Sequence, residues 1–317
     1  LVDCNVAAAG CAERTLAANG IASAEVRLAD GVAGLAPASF DRVLSHLPRG
    51  RAVQEGLIQG AAWVLRPGGR FTFVASKRAG IKGAIAYARE LFGRCGVVRQ
   101  KKGYHVALAV RSAGLQPEPP ADGYGTHTII LESVETSLVS KPGVFAWDRL
   151  DDGTAALVGA MEIGSGDRVL DLGCGTGLAG LAAARRAVDG EVVLVDTDVR
   201  AVESARRTLA ANGTTNGKVM LSDCGSAILP RDPGQRFDVA ITNPPFHQGV
   251  GVDYEVACQF VRDAARVLRR GGRLFLVANR FLRYGDLIQE TFGDLATAYA
   301  DNRYHVLTAV ARKTGLG

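Results

Sequence analysis

Between residues 168 and 310 the chain switches repeatedly between two hydrophobic periods. Arg168-Val-Leu-Asp-Leu172, Glu191-Val-Val-Leu-Val195, Lys218-Val-Met-Leu-Ser222, Phe237 to Thr242 and Gly272 to Ala278 are short apolar runs of strand type. Residues 178–187, 199–212 and 254–268 carry apolar positions at helical spacing instead. Strand and helix in alternation predict a doubly wound, mostly parallel α/β sheet with helices on both faces. A closing hairpin near Ala296 to Ala300 and Tyr304 to Ala311 adds one antiparallel strand. In such sheets ligands bind beyond the carboxyl ends of the strands, where Asp171, Asp196, Asp223 and Asn243 all fall.

The chain also repeats itself. Leu1-Val-Asp-Cys-Asn-Val to Thr15-Leu-Ala-Ala-Asn-Gly20 matches Leu194-Val-Asp-Thr-Asp-Val to Thr208-Leu-Ala-Ala-Asn-Gly213 at 13 of 20 positions. Further on, Phe40-Asp41 answers Phe237-Asp238, Arg66 to Ala75 answers Arg269 to Ala278, and Tyr104 to Val110 answers Tyr304 to Val310. A period near 200 residues is a duplicated domain rather than a solenoid. The expected organisation is a first copy over 1–112, a Pro/Gly-rich linker over 113–125 and a second copy over 126–317. The first copy begins at the counterpart of Leu194 and has no counterpart of the strand Arg168 to Leu172. Such a gap leaves flanking backbone unpaired, so this copy is expected to be truncated, with further residues upstream.

Two motifs in the second copy carry chemistry. Gly173, Gly175 and Gly177 lie in a strand-to-helix turn, where missing side chains admit a ligand close to the backbone. Gly175-x-Gly177-x-x-Gly180 also satisfies a dinucleotide fingerprint, so the turn alone leaves NAD and S-adenosylmethionine open. Asn243-Pro244-Pro245-Phe246 decides for the methyl donor, because it has no role in hydride transfer and suits an exocyclic amine. The Asn243 side-chain oxygen and the Pro244 carbonyl each accept one N–H, favouring a more pyramidal nitrogen aimed at the donor methyl. Proline holds the turn through its fixed φ, and Phe246 stacks on the extruded base. Catalysis is then positioning by preorganised dipoles. Asp196 is assigned the ribose hydroxyls, and Asp223 with the Cys224 backbone the adenine amine. His247 reads as a polar residue at the rim.

Composition removes other classes. Of the 317 residues 47% are apolar, enough for two cored domains, and no apolar run approaches the ~20 residues of a membrane span. No signal peptide is visible at the start. Six cysteines lack any ligand spacing, which predicts no metal and reduced, cytoplasmic thiols. Residues 1–120 hold sixteen Lys and Arg against eight Asp and Glu. That excess gathers in Lys77, Arg78, Lys82, Arg89, Arg94, Arg99, Lys101 and Lys102, opposed within the stretch only by Glu90. Phosphate binding without base reading is the function such a patch suggests, at Lys77, Arg78, Lys82, Lys101 and Lys102 above all. His46-Leu47-Pro48-Arg49 stands where the second copy has Asn243-Pro244-Pro245-Phe246, so the first copy is expected to be catalytically dead.

The second copy resembles the ribosomal RNA guanine-N2 methyltransferases of the small-subunit methyltransferase C type. The matching words are Pro142-Gly-Val-Phe145, Leu150-Asp151 with Gly153, Asp171-Leu-Gly-Cys-Gly175, Thr208 to Gly213, Asn243-Pro-Pro-Phe-His247, Val277 to Tyr284 and Glu290-Thr-Phe-Gly293. The resemblance implies two tandem Rossmann-like class I methyltransferase domains, the first degenerate. It also implies S-adenosyl-L-methionine as cofactor, Phe145 lining the donor pocket and the segment around Asn279 bordering the base. Ala146-Trp147 departs from the family, which usually has Ser after the Phe. The expected partner is ribosomal RNA or a ribosomal subunit, met by a monomer. Adenine-N6 and glutamine-N5 methyltransferases share the Asn-Pro-Pro core, and an RNA-binding assembly protein with a relic pocket is the non-enzymatic alternative.

Overall fold

The structure, a computed structural model, describes residues 1–228, 236–245 and 251–312. Phe246 and His247 lie outside the described residues. Two compact units emerge, Leu1–Cys4 with Leu16–Gly123, and Asn5–Thr15 with Tyr124–Gly317.

The first stretch runs β1 (Val2–Asp3), α1 (Val6–Ala18), β2 (Arg27–Leu28), β3 (Phe40–His46), α2 (Arg51–Val64), β4 (Leu65–Ser76), α3 (Ile81–Phe92), β5 (Cys95–Lys101) and β6 (Tyr104–Val110). The second begins with a hairpin, β7 (Gly125–Leu131) and β8 (Val134–Ser140), then α4 (Asp152–Ala160), β9 (Arg168–Leu172), α5 (Leu178–Arg186) and β10 (Glu191–Asp196). It continues through α6 (Val199–Ala211), β11 (Gly217–Leu221), β12 (Phe237–Thr242), α7 (Gly251–Val267), β13 (Leu268–Asn279), α8 (Tyr284–Phe292), β14 (Ala296–Ala300) and β15 (Tyr304–Val310). The β7–β8 hairpin, α4 and α8 are additions to what the hydrophobic periods predict.

In the second unit seven strands form one mixed sheet, in the order β11-β10-β9-β12-β13-β15-β14. Only β15 runs antiparallel, to β13 on one side and β14 on the other. From β9 the chain winds outward through β10 and β11, then returns to β12 and winds the other way. That reversal puts the topological switch point between β9 and β12, which pair from Val239↔Val169 to Thr242↔Leu172. Helices cover both faces. Leu157 of α4, Leu181 of α5 and Ala205 of α6 pack into one apolar layer, and Phe260 of α7 with Ile288 of α8 into the other. Strands buried on both sides need apolar residues at consecutive positions, which is why Val169, Leu170 and Leu172 are all fully buried.

Six strands of the first unit match six of these seven, yet they form two sheets, β1-β2 and β3-β4-β6-β5. The division falls where the counterpart of β9 would stand. In the four-stranded sheet β3 is an edge, with Leu44 78% exposed where its counterpart Ile241 is fully buried. Among the described residues no helix is long and apolar enough to cross a membrane.

Candidate functional site

The glycine turn leaves β9 and enters α5 through Gly173, Gly175 and Gly177, all at positive φ. Their reasons differ. A Cβ on Gly173 would stand 2.9 Å from a Phe260 ring carbon, and one on Gly177 2.9 Å from the Ala205 Cα. A Cβ on Gly175 would meet nothing within 4 Å. Only Gly175 therefore faces open space, and the other two are glycines because protein already occupies theirs.

Carboxylates surround that opening. Asp196, at the end of β10, accepts the Gly175 N–H at 2.9 Å and the Asp198 N–H at 3.0 Å. Burial raises the Asp196 carboxyl above its ordinary value, although these two N–H groups oppose the shift. Asp171, on β9, is 2% exposed, and among the described residues its Oδ2 has no hydrogen-bond partner. Burial pushes its carboxyl up to about 7; the Gly180 N–H lowers it and the Asp196 charge adds to the rise. A buried carboxylate oxygen without a donor is costly, so the pocket suits a ligand that brings hydroxyl or ammonium donors.

On the next strand end Asp223 is exposed, and Cys224 turns the chain at φ 48°. The buried Asp263 fixes this loop, accepting the Gly225 N–H at 2.9 Å. Burial, then the Asp223 and Asp263 charges, push the Cys224 thiol up to about 12, so it stays neutral and unreactive at ordinary pH. Phe145 is 59% exposed in the loop before α4. Two residues on, Trp147 packs edge-on against His127 with ring centroids 5.2 Å apart.

Asn243 caps the end of β12. Its Nδ2 donates to Asp151 Oδ2 at 3.1 Å and to Thr154 Oγ1 at 3.0 Å, so Oδ1 takes no part in either bond. Asp151 is itself the N-cap of α4, accepting the Thr154 N–H at 3.0 Å. Pro244 is buried and Pro245 exposed. Sequence patterns assign no role to Asp151 or Thr154. The signal available was the Asp-x-x-Thr cap, which is common and says nothing of a partner 92 residues away.

In the first unit the predicted basic residues separate into two places. Lys77 and Arg78 form a short 3-10 turn after β4, Lys82 opens α3, and Lys101 and Lys102 close the β5–β6 turn. The Lys77 N–H donates to the Gly103 carbonyl at 2.9 Å, which joins the two turns. All five side chains are exposed, and half-exposed Tyr104 sits beside them, paired with Lys101 across the strands. Arg89 and Arg94 lie at the other end of α3, lining a shallow 330 Å³ cavity with Cys95 and Leu108. Among the described residues no group of His, Cys, Asp and Glu is arranged to hold a metal.

The sheet order, the switch-point turn and the Asn-Pro-Pro strand end define an α/β methyltransferase. The methyltransferase small domain family matches residues 1–108 and 135–308. A ribosomal RNA small subunit methyltransferase C of Hahella chejuensis is 35% identical over 276 residues, covering 87% of this chain and 79% of the relative. That of Stutzerimonas stutzeri is 37% identical over 283 residues, covering 87% and 82%. Among solved structures, a T. thermophilus 16S rRNA N2 methyltransferase in complex with AdoMet and guanosine superposes with a TM-score of 0.85 at 33% identity, over 98% of this chain and 81% of that one. The chain belongs to the ribosomal RNA small subunit methyltransferase C family.

Proposed function

We propose that the second unit transfers a methyl group from S-adenosyl-L-methionine to the exocyclic N2 amine of a guanine in ribosomal RNA. The observation that carries this is the Asn243 amide, whose NH2 is directed at Asp151 and Thr154 at the switch point, so that Oδ1 is the edge turned away from α4. An enzyme acting on an amine needs an acceptor there, and the solved relative bound to AdoMet and guanosine has the same fold over nearly the whole chain.

The residues present fit the cofactor. Gly175 opens onto unfilled space, Asp196 lies against that turn, and Asp171 holds a buried oxygen without a partner among the described residues. Asp196 takes the ribose hydroxyls, Asp223 and the Cys224 backbone the adenine edge, and Phe145 the rim. When bound, S-adenosylmethionine supplies an electrophilic methyl on its sulfonium. Asn243 Oδ1 and the Pro244 carbonyl each accept one N–H of the guanine amine and localise its lone pair. Phe246 stacks on the base. Preorganised acceptors of this kind contribute by fixing geometry before reaction, with no strong base required.

The first unit is a degenerate methyltransferase-like domain that holds RNA through Lys77, Arg78, Lys82, Lys101 and Lys102, with Tyr104 offering a stacking face among the charges. A substrate of this kind places the protein in the cytoplasm with the ribosomal subunit it modifies.

Nucleoside analysis of ribosomal RNA treated with the protein and labelled donor tests the reading. N2-methylguanosine is the expected product, and Asn243→Ala should lower turnover at least ~10²-fold with donor affinity unchanged. N6-methyladenosine as product, or more than a tenth of the wild-type rate in the variant, would overturn it.

A further inference from the structure

We infer that Asp151 is a positioning residue for the methyl acceptor, acting through Asn243 by fixing which end of the amide faces the substrate. The inference rests on the reading of Asn243 as the acceptor of the guanine amine. An Asn side chain is nearly symmetric in shape, and rotation by half a turn exchanges a hydrogen-bond acceptor for a double donor. Facing an amine, the rotated amide would present N–H to N–H. Something must hold it the right way round.

Asp151 does so by its chemistry. An ionised carboxylate only accepts, so the amide edge 3.1 Å from Asp151 Oδ2 has to be the NH2 edge. Thr154 Oγ1 takes the second hydrogen at 3.0 Å. With both hydrogens of Nδ2 directed at α4, Oδ1 is presented on the other side. The carboxylate is in turn held by the backbone, since its Oδ2 also accepts the Thr154 N–H as the helix cap. Cap and amide thus share one oxygen, and the first turn of α4 acts as a rigid template for the end of β12.

Space around these side chains is tight. A Cβ on Gly153 would stand 3.0 Å from Asp151 Oδ2, 3.3 Å from Tyr304 Cε1 and 3.5 Å from Asn243 Nδ2. Glycine at 153 is what lets the helix N-terminus approach the strand end this closely. Burial and the Asp151 charge keep the Tyr304 hydroxyl above its usual range, so this neighbour remains neutral and does not compete as a second anion.

The test separates capping from positioning. Asp151→Asn preserves the cap and the shape but offers Asn243 both a donor and an acceptor, so the amide is no longer held in one orientation. Asp151→Ser also caps the helix but is too short to hold the amide. For both variants the expected result is a fall in kcat of at least ~10-fold, the scale of a misplaced reacting group. The RNA KM, the donor affinity by calorimetry and the melting temperature should match wild type. Wild-type kcat in Asp151→Asn, or recovery of kcat in Asp151→Ser, would overturn the inference, because a residue needed only for capping is satisfied by either. Asn243→Ala discriminates the underlying reading: an active Asn243→Ala removes both proposals, while an inactive one beside an active Asp151→Asn removes only this one.

Discussion

The strand pairs β3–β4 and β12–β13 have the same construction. Each breaks register once, between Phe40 and Arg42 and between Phe237 and Val239. Each is followed into the sheet by a Gly-Gly pair, with Gly68 and Gly271 at φ 80° and 79°. A Cβ on Gly69 or on Gly272 would strike the matching carbonyl, of Arg66 at 2.8 Å or of Arg269 at 2.9 Å. Beyond the strand ends the likeness stops. β12 ends in Asn243, whose Nδ2 donates to Asp151 and Thr154, whereas β3 ends in His46 and the buried Leu47. There the Pro48 carbonyl already accepts the buried Gln54 amide at 2.6 Å, and the same Nε2 reaches the Ala79 carbonyl at 2.6 Å. In the first unit that turn is satisfied from within by Gln54, whereas at the end of β12 it is α4, through Asp151 and Thr154, that holds Asn243. The strand pairing is thus the same in both units, and the difference between them lies in the segments after the strands.

Substitutions in the glycine turn of the second unit separate framework from function most sharply. Gly177→Ala forces a Cβ against the Ala205 backbone at φ 83° and should cost about 3 kcal/mol or more in urea unfolding, from overpacking plus left-handed strain. Gly175→Ala meets no atom and should cost only about 1 kcal/mol of strain, yet weaken donor binding at least ~10-fold by calorimetry. Undiminished donor binding in Gly175→Ala would remove the open space from the donor site.

The central strand β9 gives a pH signature next in size. Burial raises Asp171 to about 7, so the folded chain keeps a proton that the unfolded chain releases near the ordinary carboxylate value. Stability from this group is complete below that ordinary value and is lost as pH rises through about 7, then levels off. Wild type should therefore lose up to about 1.4 kcal/mol per pH unit within that window relative to Asp171→Asn. Parallel stability curves for the two proteins would show that Asp171 ionises freely.

The smallest effect concerns the first unit alone. Reversing Lys77, Arg78, Lys101 and Lys102 to Glu should weaken RNA binding and flatten its salt dependence, by roughly 0.7 to 0.9 in log-log slope for each phosphate no longer neutralised. Donor binding should stay as in wild type. An unchanged salt titration would leave the duplication with a structural role only.

Periodicity marked β9, β10, β12 and the helices α5 and α6 to within a residue or two, because apolar strands and amphipathic helices state their environment in their spacing. It did not mark α4. Gly153 to Met161 is apolar on nearly all sides, so no stripe distinguishes a short helix from a strand. The β7–β8 hairpin escaped as well, its polar and apolar residues alternating around Glu132 and Ser133, both at positive φ without a glycine to announce the turn.

Sequence by itself determined the duplication, the α/β class, the glycine turn and the Asn-Pro-Pro strand end, since each is written in contiguous residues whose local chemistry admits few readings. Tertiary structure alone decided which glycine faces open space and which way Asn243 points. Those depend on Phe260, Ala205 and Asp151, residues far along the chain that meet the turn and the amide only when the sheet brings strand ends and helix starts together.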